Sequence, residues 1–416
     1  MSELSVTDFR NRARAWLEQH APRRGDAELG EPRRADIAAQ KAFQAKLYDA
    51  GFAGITWPNE YGGQGLTNAE QIAFSQVARD FALPVGAFTI GLGMPGPTIL
   101  ELGTEEQKKR YLPKLLRGEE IWCQLFSEPS AGSDVASLIT TAVQVKGDGE
   151  AGGEWLLNGQ KVWTSGAQYS DYGAVIARTD PDVPKHNGIT MFILDMHSPG
   201  VTVRPLKVAT GASPFNEVFF DQVRLPADSV IGEVNDGWHA AVVMLRNERV
   251  TIGTMAAPRN SPLSYDSLSG LAARLGTGAG AGLSRKLAEL YARERSVQLF
   301  GQLLREEAMA GRDPGPRGSV AKLAGAELGV FASLVAAEVL GPAAAASDRE
   351  DVRAVLNGMI SAPGGSIAGG TNEIQRNIIG ERVLGLPKDP GVDRSTPFSQ
   401  LRAGTLRRGG GRGGWQ

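Results

Sequence analysis

QLFSEPSAGSDVASL, residues 124–138, stands where the chain changes rhythm. Before it, apolar residues recur at helical spacing; after it they alternate with polar ones. Ser127 and Ser133, with the small residues Ala131 and Gly132, make a strip along which hydroxyls and backbone N–H groups can come close to a planar or anionic ligand. By composition alone, the same letters also suit a polar turn between two domains. The elements on either side decide what the stretch joins.

Reading back toward the start, residues 1–120 are expected to form a helical domain. DIAAQKAFQAKLYDAG keeps helical periodicity and stops at Gly51, and TNAEQIAFSQVARDF opens with Thr67 and Glu70, the letters of a capping box. GTEEQKKRYLPKLLRGEE sets acids just after Thr104 and bases later, as a helix dipole favours. WPNEYGGQG lies among these as a turn-rich crossing.

Reading forward, residues 121–232 are expected to form a compact antiparallel β domain. WLLNGQKVW sets Asn158-Gly159 between two apolar arms and predicts a two-residue hairpin; GAVIART, GITMFILD, VTVRPL and EVFFDQVRLP follow at short intervals. Helical spacing returns over 233–390. GWHAAVVMLRNERVTIGTM leads two long helices whose apolar stripe runs through Leu283, Leu287 and Leu290 to Val297, Phe300 and Leu304. With a helix beginning near Asn372, these predict a four-helix bundle, interrupted by a mobile loop at SGLAARLGTGAGAGLS. Residues 391–416 read as a flexible tail. Its G-x-G-x-x-G spacing at Gly409, Gly411 and Gly414 has neither a strand before it nor a helix after it, so it is no dinucleotide fingerprint. The expected class is α+β: helical, then β, then helical.

Composition narrows the function. The 44 basic and 46 acidic residues nearly cancel, leaving no net field toward nucleic acid or an anionic membrane. One cysteine, Cys123, allows no internal disulfide and fits a reducing compartment. MSELSVTDFRNRARAW lacks the apolar core of a signal peptide, and no later stretch reads as a membrane span, so the expectation is a cytosolic protein. His20, His186, His197 and His239 have no ligand spacing, and no metal is expected.

Three further stretches carry chemistry. In KVWTSGAQYSD, Trp163 is followed at once by two hydroxyl residues and a glycine, an aromatic face beside hydrogen-bond donors, although a lone tryptophan also suits a core. In SIAGGTNEIQR, residues 366–376, Gly369 and Gly370 lack a Cβ, so a ligand can lie against the main chain. The same letters also form a simple helix start, with Asn372 as cap and Gln375 returning the bond. Glu248, in LRNERVTIG, falls on a helix that reads as apolar on nearly every face, where a carboxylate must be paired or functional; its neighbour Arg249 points elsewhere on a helix.

The motifs LGTEEQKKRYLP, FSEPSAGSD, NGQKVWTSGA, FNEVFFDQVRLP, NERVTIG and GGTNEIQRNIIGERVLGLP, in this order, resemble those of the acyl-CoA dehydrogenase family over roughly residues 5–390. The resemblance implies FAD as cofactor. Gln124, Leu125, Phe126 and Ser127 are then expected at the flavin edge, Trp163 beside the ring and Ser165 near N5. Ser133 is expected near the acyl-CoA or the flavin phosphates, and Gly370 and Thr371 in a turn touching FAD, with Gly341 and Glu373 as further cofactor contacts. Many members of the family carry the catalytic glutamate at the position that reads Gly369 here. Branches similar to isovaleryl-CoA dehydrogenases, and certain bacterial steroid or fatty acyl-CoA dehydrogenases, place the base on the first bundle helix instead, which matches Glu248-Arg249.

The implied reaction is α,β-desaturation of an acyl-CoA thioester. Glu248 is its base, the Gly369 N–H a donor to the thioester oxygen, and Ser133, Arg249 and Gly369 are substrate contacts. Electron-transferring flavoprotein is the implied acceptor, and a homotetramer or heterotetramer the implied assembly. Two alternatives stand beside it: a non-catalytic partner subunit that completes another chain's flavin site, and a flavin monooxygenase or oxidase on the same fold. The family's Arg-x-x-Phe-Gly cross-subunit contact is not matched, since SPLSYDSLSGLAARLG occupies about that region.

Overall fold

The structure, a computed structural model, describes residues 5–23, 37–145, 153–254, 261–278, 280–309, 312, 315–388 and 395–401; within the helices, the side chains of 248–254, 305, 308 and 309 lie outside that description. Among the described residues, six α-helices come first: α1 (Val6–His20), α2 (Ile37–Asp49), α3 (Asn68–Ala78), α4 (Thr89–Gly93), α5 (Pro95–Leu102) and α6 (Glu105–Arg117). Thr67 with Glu70, and Thr104 with Gln107, close reciprocal capping boxes that satisfy the free N–H groups opening α3 and α6. Gly118, at φ +80°, ends α6. Phe9, Leu17, Phe43, Leu47, Phe52 and Phe74 form the core of α1, α2 and α3, each buried side chain contributing roughly 1.5–3 kcal/mol.

Among the described residues the strands are β1 (Trp122–Leu125), β2 (Thr141–Val145), β3 (Glu154–Ser165), β4 (Tyr172–Arg178), β5 (Ile189–Asp195), β6 (Val201–Leu206), β7 (Phe215–Leu225) and β8 (Val230–Ile231). The sheet runs β6-β7-β3-β2-β4-β5-β8, with β1 beside β4. Pairing is mainly antiparallel; β1 and β2 meet β4 in parallel. The expected hairpin at Asn158-Gly159 does not form. β3 passes straight through both residues, and a register slip against β7 absorbs them: Leu157 pairs with Val223 and Gly159 with Phe220. Asn158 Oδ1 accepts from Gln222 N at 2.9 Å, and a Cβ on Gly159 would lie 2.5 Å from Thr140 Oγ1. The dipeptide serves a bulge and a close approach, which local spacing cannot tell from a turn.

The last part holds α7 (Gly237–Thr254), α8 (Tyr265–Leu275), α9 (Ala281–Met309), α10 (Gly318–Leu340), α11 (Ala343–Ala346), α12 (Glu350–Ser361) and α13 (Asn372–Ile378). SGLAARLGTGAGAGLS is not a loop throughout. Its first half belongs to α8, whose Leu268, Leu271 and Ala272 enter the core with Leu283, Leu287 and Leu290 of α9 and Val335 and Val339 of α10. Val297, Phe300 and Leu304, farther along the same stripe, are only half-buried. The helix through Glu248 is less uniformly apolar than it reads, because His239, Val242 and Arg246 form an exposed side.

The stretch Gly315–Leu340 is long and apolar enough to cross a membrane by length and composition, which the sequence reading missed. Here α10 is the axis on which α7, α8, α9, α12 and α13 pack. Ile99, Leu112 and Leu115 pack into one cluster with Trp122, Ile176, Met191 and Met244, joining the helical start, the sheet and α7. The tail expectation fails for part of its length: residues 395–401 return to the loop between β4 and β5, Phe398 is 3% exposed, and its N–H donates to Val183 O at 2.8 Å. Residues 402–416 lie outside the described residues.

Candidate active site

The two stretches that carry the β-domain motifs are joined by a main-chain bond just beyond β1. Val162 N donates to Ser127 O at 2.9 Å, joining the end of the Gln124–Ser127 segment to β3 one residue before Trp163. A buried ion pair fixes the same junction. Lys161 Nζ donates to Glu128 Oε1 at 2.8 Å and to Phe126 O at 3.0 Å, while Glu128 also accepts from Ile139 N and Thr140 N. Burial pushes the Glu128 carboxyl up, but the Lys161 charge and the N–H donors outweigh it and hold the group below the usual carboxylate range. Burial lowers the Lys161 pKa, with Glu128 opposing. Leu125 and Phe126 turn their side chains into the core, so of the four residues expected at the flavin edge these two have only main chain to offer.

Trp163 departs furthest from ordinary geometry. Its φ is +62°, in the left-handed region that costs an L-residue about 1–2 kcal/mol, and the slip between Lys161 and Thr164 in the β3–β7 register places it on a bulge. Its side chain is 59% exposed, touching Phe215 edge-on at 5.8 Å between centroids. A strained, bared indole next to Ser165 is what a planar ring system lying on this edge calls for, so the residues present fit a flavin. Beside Ser165 and Gly166 a cavity of about 260 Å³ reaches Ala87, Thr89 and Ile90.

On the bundle side, Gly369 and Gly370 take φ +65° and +85° in succession. The helix cap is Thr371, whose Oγ1 accepts from Ile374 N, not Asn372; Gln375 does not return to the cap but donates from Nε2 to Gly369 O at 2.8 Å. Lys322 of α10 donates from Nζ to Gly370 O at 2.5 Å. The exposed Glu373 is held below its ordinary range by hydrogen bonds from its own N–H and from Thr371.

Glu248 and Arg249 lie on α7, which packs against α5, β5 and α10; their side chains lie outside the described residues. Ser133 is exposed on the loop after β1. The next residue, Asp134, accepts from Lys185 Nζ at 2.7 Å, and His186 and Trp238 meet edge-on at 4.7 Å on the wall of an open groove of about 560 Å³. Within one chain Gly341 does not join this set. It ends α10 at the pole opposite Lys322, 19 residues (341 − 322) and so about 28 Å along the axis.

Glu128, Lys161, Lys322 and Gln375 were missed as parts of the site. The charges of SEP and QKV, each inside an apolar or glycine-rich surround, were the available signal for the first two. Nothing local marks Lys322.

A helical domain, a sheet and a helical bundle around a shared core define the acyl-CoA dehydrogenase fold, and its domains match in order: N-terminal over 5–119, middle over 123–223, C-terminal over 235–384. The chain belongs to the acyl-CoA dehydrogenase family, whose members are oxidoreductases. It is 41% identical over 356 residues to the acyl-CoA dehydrogenase FadE34 of Mycobacterium tuberculosis, covering 85% of this chain and 48% of that one, so it spans about half that relative's length. It is 37% identical over 402 residues to the acyl-CoA dehydrogenase IpdE1 of Mycolicibacterium smegmatis, covering 93% of this chain and 99% of that one. Among solved structures it resembles the Tcur3481-Tcur3483 steroid ACAD, at TM-score 0.76 and 27% identity over 94% of this chain and 99% of that one. It also resembles the ChsE4-ChsE5 complex of Mycobacterium tuberculosis, at TM-score 0.71 and 29% identity over 94% and 99%.

Proposed function

We propose that the chain is an FAD-dependent acyl-CoA dehydrogenase that desaturates an acyl-CoA thioester between its α and β carbons. The observation that carries this reading is Trp163, strained and exposed, one residue beyond the bond that joins Ser127 to Val162. Glu248 takes the α-proton, and as a positioned general base it contributes about 10²–10⁴ in rate. The amides of the 369–371 turn receive the negative charge that develops on the thioester oxygen. Bound against Ser127, Trp163, Ser165 and the Gly370-Thr371 turn, FAD supplies the acceptor for the β-hydrogen. The CoA portion runs past Ser133 into the groove beside Asp134 and Lys185, where the His186 and Trp238 rings offer faces to its adenine. Reduced enzyme passes its electrons to an electron-transferring flavoprotein in the cytosol. A steroid-derived acyl-CoA is the first substrate to test, because a structural neighbour at 27% identity is a steroid ACAD.

A second reading is favoured by Gly369 standing where many relatives carry the base, and by two structural neighbours that pair differently named chains. In it, this chain joins an unlike partner that completes the active site. Anaerobic titration of the purified protein with a panel of acyl-CoAs, following loss of flavin absorbance, tests both. Bleaching by one acyl class supports the dehydrogenase, and bleaching only after a second subunit is added supports the partner reading. A protein that binds no FAD in either setting overturns both.

A further inference from the structure

The carbonyls of Gly369 and Gly370 are each held by a side chain that comes from outside the turn: Gln375 Nε2 at 2.8 Å for the first and Lys322 Nζ at 2.5 Å for the second. In a trans peptide the C=O and N–H point opposite ways. Fixing these two carbonyls therefore directs the N–H groups of Gly370 and Thr371 away from Lys322 and Gln375. Among the described residues, the N–H groups of Gly369 and Thr371 donate to no protein group, and Gly370 N–H makes no bond of ordinary length and angle, being drawn only weakly back over the 367–369 turn. Both glycines sit at positive φ, and a Cβ on Gly370 would lie 2.7 Å from Gln375 Nε2, so no larger residue fits where Gln375 reaches the turn. Gln375 is itself 1% exposed, and no carboxylate among the described residues comes within ion-pair distance of Lys322, so its ammonium is directed to Gly370 O and, at 3.5 Å, Asn372 Oδ1.

We infer that Lys322 and Gln375 are positioning residues of the thioester site: they lock the 369–371 turn so that the Gly370 and Thr371 amides stand ready for the oxygen of the acyl thioester. The inference rests on the dehydrogenase reading. Lys322 adds positive potential one peptide behind those donors, and a charge fixed in place before the reaction costs no reorganisation when the oxygen becomes anionic.

The test compares two non-reacting ligands by calorimetry on the FAD-loaded protein: a 3-thia-acyl-CoA, which keeps the thioester oxygen, and an alkyl-CoA thioether, which lacks it. Lys322→Met is expected to weaken the first at least tenfold and the second less than threefold, to lower kcat at least tenfold with KM within threefold, and to leave FAD content unchanged. Lys322→Arg restores part of the loss. Gln375→Glu, which puts an acceptor against Gly369 O, is expected to show the same discrimination and is decisive should Lys322→Met fail to fold. Equal losses for both ligands, unchanged affinities, or a loss confined to FAD binding overturn the inference. If the unmodified protein neither holds FAD nor is reduced by any acyl-CoA, it is the dehydrogenase reading that fails.

Discussion

Lys161 Nζ lies 2.8 Å from Glu128 Oε1, and the two side chains are 0% and 1% exposed. The pair ties β3 to the loop after β1 at the place where Trp163 leaves the sheet. Taking two charges out of water is costly, and the pair persists because Phe126 O, Ile139 N and Thr140 N complete its hydrogen bonding. Breaking one side leaves a buried charge alone. Lys161→Met is therefore expected to cost roughly 3–5 kcal/mol in urea unfolding, and Lys161→Met with Glu128→Gln less than the sum of the singles. Additive singles speak against a coupled pair.

The same carboxylate sets an acid limit. Its folded pKa is below the ordinary value of 4.5, so its contribution is fully present above that value and lost as pH falls through the folded one. Stability followed from pH 6 downward is expected to fall more steeply in the unmodified protein than in Glu128→Gln.

Cys123 is buried in the core of the sheet, and burial pushes its thiol up to about 12. At pH 8 a disulfide reagent is expected to leave it untouched in the folded protein and to titrate one thiol in denaturant. Fast labelling without denaturant shows that β1 opens locally.

Glu248→Gln should retain FAD and the circular dichroism of the unmodified protein while lowering anaerobic flavin reduction by acyl-CoA about 10²–10⁴-fold. An active variant sends the search for the base elsewhere on the bundle.

Trp163→Gly removes a left-handed L-residue and should stabilise the FAD-free protein by about 1 kcal/mol, measured by urea unfolding, while weakening FAD binding in dialysis. A loss of stability assigns the indole to the core, against its exposure.

Much of this architecture was legible in the letters. Periodicity separated helix from strand, and Thr67-Glu70 announced the start of its helix because a cap is a local device. Asn158-Gly159 was misread because a bulge and a turn want the same two residues, and only Gln222 on the facing strand decides between them. α8 hid behind its glycines because its apolar face finds α9 and α10 only in the folded chain. In the site, Trp163 and the glycine turn stand out by type, whereas Lys322 does not: its role arises from a residue 48 positions away. Gly341 joins the others only as a contact the resemblance implies, and α10 carries it to the far pole within a single chain.

Phe398 lies under the Arg178 guanidinium at 3.9 Å, and that same guanidinium donates to Ala136 O and Lys185 O. One of the last described segments of the polypeptide thus closes the loops that border the proposed nucleotide groove. Because one guanidinium both stacks on the Phe398 ring and holds two loop carbonyls, taking that ring away would slacken the Ala136 and Lys185 anchors together.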